Sequence, residues 1–291
     1  MCACVQPVAE EVLQEIEILK YLQHKNLVKL CEIIDDPTSK HLYIIMEYVP
    51  AGPIMIRESA NGNFISRLTG GVLLESMASK IFKDLMSVLE YLHINHIAHR
   101  DLKPDNLLVD YNGTLKVSDF GVSNHFSDEK RKKAVNMRQL SRSKSRGVVN
   151  STEGTFAFYS PEMCRENSGA YSAYMSDVWA ASVCLWIFVF GTLPFYSADI
   201  VDLFSMIRLH NPVMPHRVSP ELAHLLEKIL QKDQDQRLSI HDIQNHCWLK
   251  RCPLKGNGIS SDDFETDDDL DTNLDDMTSL FSPRVYASLK R

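Results

Sequence analysis

The stretch His99-Arg100-Asp101-Leu102-Lys103-Pro104-Asp105-Asn106 decides how this chain is read, together with Asp119-Phe120-Gly121, which begins eighteen residues beyond Asp101. Phosphoryl transfer asks a protein for little covalent chemistry. It asks for a carboxylate to orient a hydroxyl nucleophile, a cation to balance phosphate oxygens, and oxygen ligands to hold magnesium. Asp101 suits the first task, Lys103 the second, and Asn106 with Asp119 the third. Magnesium takes few protein oxygens and fills its shell with phosphates and water, a demand that one carboxamide and one carboxylate meet. Any one of these aspartates alone reads as a solvated turn carboxylate; the ordered set does not.

Working outward, two short strands, Leu107–Val109 and Leu115–Val117, are expected about the turn Tyr111-Asn112-Gly113. Upstream, Glu75–His93 has helical period, with Ile81, Leu85, Val88, Leu89 and Leu92 at its apolar positions. Residues 51–71 carry five Gly and Pro and read as an irregular connection. Residues 8–23 read as a helix whose Val12, Ile16 and Leu19 share a face. Leu27–Ile34 and His41–Tyr48 read as a β-hairpin about Asp35-Asp36-Pro37. A lone hairpin is marginal in water, so the helix, or something else, must pack on it. Downstream, Ser176–His246 is helical and punctuated by Pro194, Pro212, Pro215 and Pro220. Its apolar run Val178–Phe195 nears the length of a membrane span. Asp177 opens that run, Gly191 and Pro194 break it and no positive flank anchors it, so it reads as a buried core helix.

Of the 291 residues, 44% are hydrophobic and 24% charged, the mix of a soluble globular protein, which excludes wholesale disorder and collagen. The net charge of −7 is uneven: residues 261–276 hold eight Asp and one Glu and no base, so the remainder is close to neutral. A general nucleic-acid binder is not expected on that balance. Seven cysteines, an odd number without paired CxxC knuckles, fit a reduced cytoplasmic protein. The start, Met1–Glu10, has no basic leader and is too short for a signal peptide. No membrane partner is expected.

The two motifs, in this order and spacing, resemble the eukaryotic protein kinases. More of that pattern follows. Gly154-Thr155 and Ser160-Pro161-Glu162 resemble the end of the activation segment, with Ser160 where alanine is usual. Asp177 with Trp179 resembles the start of the large lobe's central helix, whose aspartate ties down the catalytic loop. Arg237 lies where the family pairs an arginine with Glu162. Lys103, two residues after Asp101, is the Ser/Thr-kinase pattern. His41–Val49 resembles the fifth strand and hinge, with Met46 as gatekeeper and the backbones of Glu47 and Val49 against adenine. Glu15 resembles the helix glutamate of the small lobe. Leu19, His99 and Phe120 would then lie in an apolar column between the lobes. Asp35-Asp36-Pro37, Gly52-Pro53-Ile54-Met55 and Asp119–Phe126 narrow the resemblance to the calcium/calmodulin-dependent protein kinase kinases.

The resemblance implies an α+β, bilobal protein-kinase-like fold, with a truncated small lobe at 8–50 and a mainly helical large lobe at 51–252. It implies ATP and Mg2+ as cofactors, and Ser/Thr residues of other kinases as substrates. No glycine-rich loop and no Val-Ala-x-Lys strand precede Glu15 in this sequence. Impaired phosphotransfer is therefore expected, and a non-catalytic binding or decoy protein is the alternative. The insert 127–150, with eight Lys and Arg between Lys130 and Arg146, is expected to be solvated; a contact with the acidic tail within the chain is a sharper reading. The tail, 253–291, reads as disordered. Asp267, Asp269 and Asp271 alternate like a calcium loop, but Thr272 and Thr278 stand where Gly and Glu are required. Leu280, Phe281, Val285 and Leu289 with Arg284, Lys290 and Arg291 are the candidate start of a calmodulin-binding segment, which Pro283 interrupts. His241, His246, Cys247 and Cys252 read as packing and surface residues rather than a zinc site.

Overall fold

A computed structural model describes residues 10–35, 42–59, 62–110, 112–120, 123–125, 156–165 and 171–250. The helical period near the start becomes α1 (Glu10–Tyr21), which ends two residues before the pattern suggested, with Ile16, Ile18 and Leu19 buried. The hairpin forms as β1 (Leu30–Asp35) and β2 (Leu42–Met46), antiparallel, with Leu30 opposite Met46 and a bulge between Leu30 and Glu32. The expected strand start at Leu27 is corrected. Leu27 bridges in parallel to Val117 instead, and the Val28 amide donates to the Val117 carbonyl at 2.9 Å. Neighbouring strand residues point to opposite faces, so a half-exposed hairpin cannot bury both Leu27 and Val28; a junction enclosed on both sides buries both.

The connection at 51–71 is also more ordered than expected. It holds β3 (Ile56–Arg57) and β4 (Phe64–Ile65), an antiparallel pair too short to leave a two-residue period in the sequence. Helix α2 (Glu75–Ile94) follows, 20 residues and about 30 Å long, with Met77, Ile81, Phe82, Leu85, Leu89 and Leu92 buried. Next come β5 (Ile97–Ala98), a 3-10 turn at Pro104–Asn106, then β6 (Leu107–Val109) and β7 (Leu115–Val117), which pair antiparallel as expected. Their turn is closed by Asp110, whose Oδ1 accepts the amides of Asn112 and Thr114 at 2.8 and 2.9 Å. Strand β8 (Asn124–His125) pairs back on β5.

Five helices follow among the described residues: α3 (Ala173–Phe190), α4 (Ile200–Leu209), α5 (Pro220–Ile229), α6 (Ile240–Gln244) and α7 (Cys247–Lys250). Ser172, Asp199, Ser219 and Ser239 cap the first four by accepting otherwise unpaired amides. Glu75 fastens the start of α2 to the later helices: it accepts the Ser219 amide and hydroxyl at 2.8 and 2.6 Å and the Trp248 indole N–H at 3.0 Å. Among the described residues, α3 is the one helix long and apolar enough to cross a membrane, and 89% of it is buried inside the protein. It packs with α2 in one continuous apolar core. The architecture is α+β, with short antiparallel strands before a mainly helical portion. The readings for the 127–150 insert, the 253–291 tail, Gly121, Gly154-Thr155 and the Glu15 side chain lie outside the described residues.

Candidate active site

Asp101 stands on the loop between β5 and the 3-10 turn, and buried hydrogen bonds hold that loop from below. Asp177, at the start of α3 and 1% exposed, accepts the His99 amide on Oδ2 at 2.9 Å and the Arg100 amide on Oδ1 at 2.8 Å. His93, at the end of α2, sets its Nε2 2.9 Å from the same Oδ2. The fully buried His99 reaches the Ser118 carbonyl with Nε2 at 3.1 Å and packs its ring on Phe120 at 5.1 Å. Leu19 belongs to the same buried cluster as Phe120, in keeping with the expected column. Arg100 and Asp119 take left-handed backbone conformations, with φ of 69° and 66°. Such residues persist only where the surroundings over-determine them; the bonds to Asp177 and Ser118 do so.

On this base three of the predicted site residues form one hydrogen-bonded cluster. Lys103 Nζ lies 2.7 Å from Asp101 Oδ2. Asn106 Nδ2 donates to the Asp101 carbonyl at 2.8 Å and to Oδ2 at 3.3 Å. The Asn106 carbonyl in turn accepts the Ser118 amide at 3.0 Å, which brings the exposed Asp119, next in sequence, to the same place. Asp101 and Lys103 remain reachable from solvent, with side-chain exposures of 19% and 22%. The NH2 of Asn106 is committed to Asp101, so its oxygen is the atom left to offer a cation. That oxygen and the Asp119 carboxylate are hard donors, which fit magnesium. Beside Asp101 opens a cavity of about 30 Å³, room for about one water. Tyr159 and Tyr171 line it, and burial pushes both phenols up to about 12, so they stand as neutral hydroxyls.

Met46, Glu47 and Val49 lie apart from this cluster, where β2 runs into the following turn. Met46 is half-buried opposite Leu30. The Glu47 amide is spent on the Lys29 carbonyl at 2.7 Å. Its carboxylate meets Lys116 Nζ at 2.8 Å and accepts the Lys29 amide at 3.1 Å. Burial raises the Glu47 pKa, but hydrogen bonds from Lys116 and the Lys29 amide outweigh it and hold the carboxyl below its ordinary value. Among the described residues, the Glu47 carbonyl and the Val49 amide have no partner. One acceptor and one donor on the same edge match the edge of an adenine ring. The larger cavity, about 850 Å³, lies elsewhere: α1, β1, Glu47 and Lys116 line it, and it borders neither Asp101 nor Asp119. The donor geometry, not cavity size, locates the site.

Two buried supports complete it. Glu162 and Arg237 pair through two hydrogen bonds of 3.0 Å, as the resemblance implied, and Arg237 also donates to the Met175 carbonyl at 2.7 Å. The guanidinium lies 5.0 Å from the Trp179 ring. Lys232 caps the neighbouring Phe195 ring at 4.0 Å and donates to the Ile207 carbonyl at 2.7 Å; burial, then Arg237, lower its pKa to about 8. Sequence reasoning missed His93 and Lys232. A lone histidine at a helix end and a lone lysine after one carry no spacing signal.

The protein kinase domain profile matches residues 4–249. A probable serine/threonine-protein kinase of Dictyostelium discoideum is 37% identical over 241 residues, which cover 82% of this chain and 30% of that protein. Serine/threonine-protein kinase GRIK2 of Arabidopsis thaliana is 36% identical over 242 residues, 82% of this chain and 53% of that protein. The calcium/calmodulin-dependent protein kinase kinase of Caenorhabditis elegans is 35% identical over 243 residues, 82% of this chain and 40% of that protein. The chain thus spans 30% to 53% of the length of these relatives. That profile spans most of this sequence, and the chain belongs to the protein kinase domain family.

Proposed function

We propose that this chain is an ATP-dependent protein serine/threonine kinase of the calcium/calmodulin-dependent kinase kinase type, acting on other kinases. The observation that carries the catalytic part is the Asp101–Lys103–Asn106 cluster. Magnesium-ATP, when bound, supplies the phosphoryl group and the charge that offsets its oxygens. Asp101 orients the substrate hydroxyl and accepts its proton at Oδ1, since Oδ2 already accepts from Lys103 and Asn106, while Lys103 steadies that carboxylate and faces the transferred phosphate. Asn106 Oδ1 and Asp119 would hold the magnesium, and Met46, the Glu47 carbonyl and the Val49 amide would border adenine. The choice of Ser/Thr rests on Lys103.

The narrower type rests on sequence detail and on one relative named as such. Gly52-Pro53-Ile54-Met55 has a physical reason for its residues. Gly52 adopts φ 69°, Ile54 and Met55 are 0% and 1% exposed, and the Ile54 amide donates to the Leu107 carbonyl at 2.8 Å. Polar residues at 54 and 55 would be buried without partners there. Calmodulin, through residues 280–291, and a cytoplasmic setting belong to the same reading.

Residues 1–291 alone are expected to transfer phosphate slowly, because no glycine-rich loop or strand lysine precedes Glu15 in them. The test is 32P transfer from magnesium-ATP to a threonine-bearing activation-segment peptide, with a tyrosine-bearing version beside it. Asp101→Ala is expected to cut the rate roughly 10²–10⁴-fold, and the tyrosine peptide to stay unlabelled. An undiminished rate in Asp101→Ala overturns the assignment. The second reading is a binding or decoy protein. It predicts no transfer at all, with capture of a kinase partner that Asp101→Ala leaves intact.

A further inference from the structure

His24 sits where the end of α1 meets α2, with both ring nitrogens and one ring face engaged. Nδ1 accepts the Asn26 amide at 3.1 Å, Nε2 lies 3.4 Å from Ser87 Oγ, and the ring stacks on Tyr91 at 5.1 Å. The Tyr91 hydroxyl accepts the Gln23 amide at 2.9 Å. Asn26 is completely buried: its Nδ2 donates to the Leu115 carbonyl and its carbonyl accepts the Val117 amide, both at 2.8 Å. Leu115 and Val117 are the ends of β7, the strand that runs into Ser118 and Asp119. A short turn therefore links α1, α2 and the strand before Asp119, and a histidine nitrogen closes it.

That nitrogen accepts a hydrogen bond, so it carries no proton; the ring is neutral, with its hydrogen on Nε2 toward Ser87. A protonated ring has an N–H at both positions and would set one against the Asn26 N–H. We propose that His24 is a proton-released latch: neutral, it seats α1 and the strand leading to Asp119 on α2; protonated, it lets both go. Lys25 on the same turn opposes protonation and Asp84 on α2 favours it, while Asp84 Oδ2 also accepts the Leu115 amide at 3.4 Å. Lys20, Lys29, Lys116, Glu32 and Glu47 line the cavity onto which His24 opens, and Tyr91 covers the ring face. Burial, then Lys25, holds the His24 pKa below its ordinary 6.5. A depressed base stabilises the folded joint above the unfolded value, and that contribution is lost as pH falls through the folded one. The joint is therefore held at neutral pH and loosens as the pH falls through the lowered His24 value.

The bond from residue 26 back to the side chain of residue 24 has the span that an asparagine side-chain oxygen also makes. His24→Asn keeps the turn and removes the titration. The experiment is hydrogen exchange by mass spectrometry on the full chain between pH 7 and 5, corrected for intrinsic rates. It follows segments 22–28 and 113–119, alongside the His24 ring titration by NMR. Protection of both segments is expected to fall about tenfold, the effect of one ordinary hydrogen bond, in step with the ring in the wild type and not at all in His24→Asn. Unchanged protection while the ring titrates overturns the latch, as does an equal fall in His24→Asn. If that variant does not fold, the wild-type comparison of ring and exchange decides alone. None of these readouts uses phosphotransfer, so the latch and the proposed activity fail separately.

Discussion

Arg237 gives both terminal nitrogens to Glu162, and their side-chain exposures of 0% and 7% leave the pair almost out of water. The energy of such a pair is lopsided. Forming it gains little over an apolar replacement, but removing one member strands a charge. Arg237→Met is expected to lower unfolding free energy by about 3–5 kcal/mol, read from the urea midpoint, and Glu162→Leu in the same chain to recover most of it. No recovery would mean that the Met175 carbonyl and the Trp179 face, rather than the ion pair, account for the loss. At this scale the chemistry-bearing residues were legible. Asp101, Lys103 and Asn106 fall within six positions because one loop must bring them together. Glu162 and Arg237, 75 positions apart, were legible only through a resemblance. His24 and His93 were not legible: a histidine's role depends on what its two nitrogens meet, and nothing in the neighbouring residues records that.

Among the elements, α3 shows how a helix end positions a distant strand. It stops at Gly191, φ 67°, whose carbonyl accepts the Phe64 amide of β4 at 2.6 Å. A Cβ at this position would stand 2.9 Å from both the Phe64 carbonyl oxygen and Val72 Cγ1. The first is backbone and cannot swing aside. Gly191→Ala is expected to cost about 1–3 kcal/mol for the backbone conformation alone, and to lower Tm by about 2–4 °C for each kcal/mol, seen by calorimetry. An unchanged Tm would show that β4 shifts freely. Long elements were well foreseen: α2 extends one residue past its expected end, and β6 and β7 match theirs. The misreadings lie where two residues suffice. β3 and β4 are paired by position rather than by pattern, and Leu27 and Val28 are apolar because a junction encloses them, which a strand run imitates.

For the whole molecule, stability is unevenly spread. Nearly all of α3 is buried, whereas the β1–β2 hairpin leaves Ile34, Tyr43 and Ile45 about half exposed. Amides of β1 and β2 are expected to exchange at least about tenfold faster than those of α3 under native conditions. Equal rates would mean that the hairpin opens only with global unfolding. The sequence foretold a hairpin beside a helical mass, but no residue of β1 or β2 is buried, and it did not foretell the turn wedged against β7. The grip of Asp177 on the amides of His99 and Arg100 has a consequence for the molecule at large. The loop that carries Asp101 takes part of its rigidity from a deeply sunk helix, through Asp177. Warming that softens α3 is therefore expected to release the amides of His99 and Arg100 in the same transition, which hydrogen exchange against temperature would read.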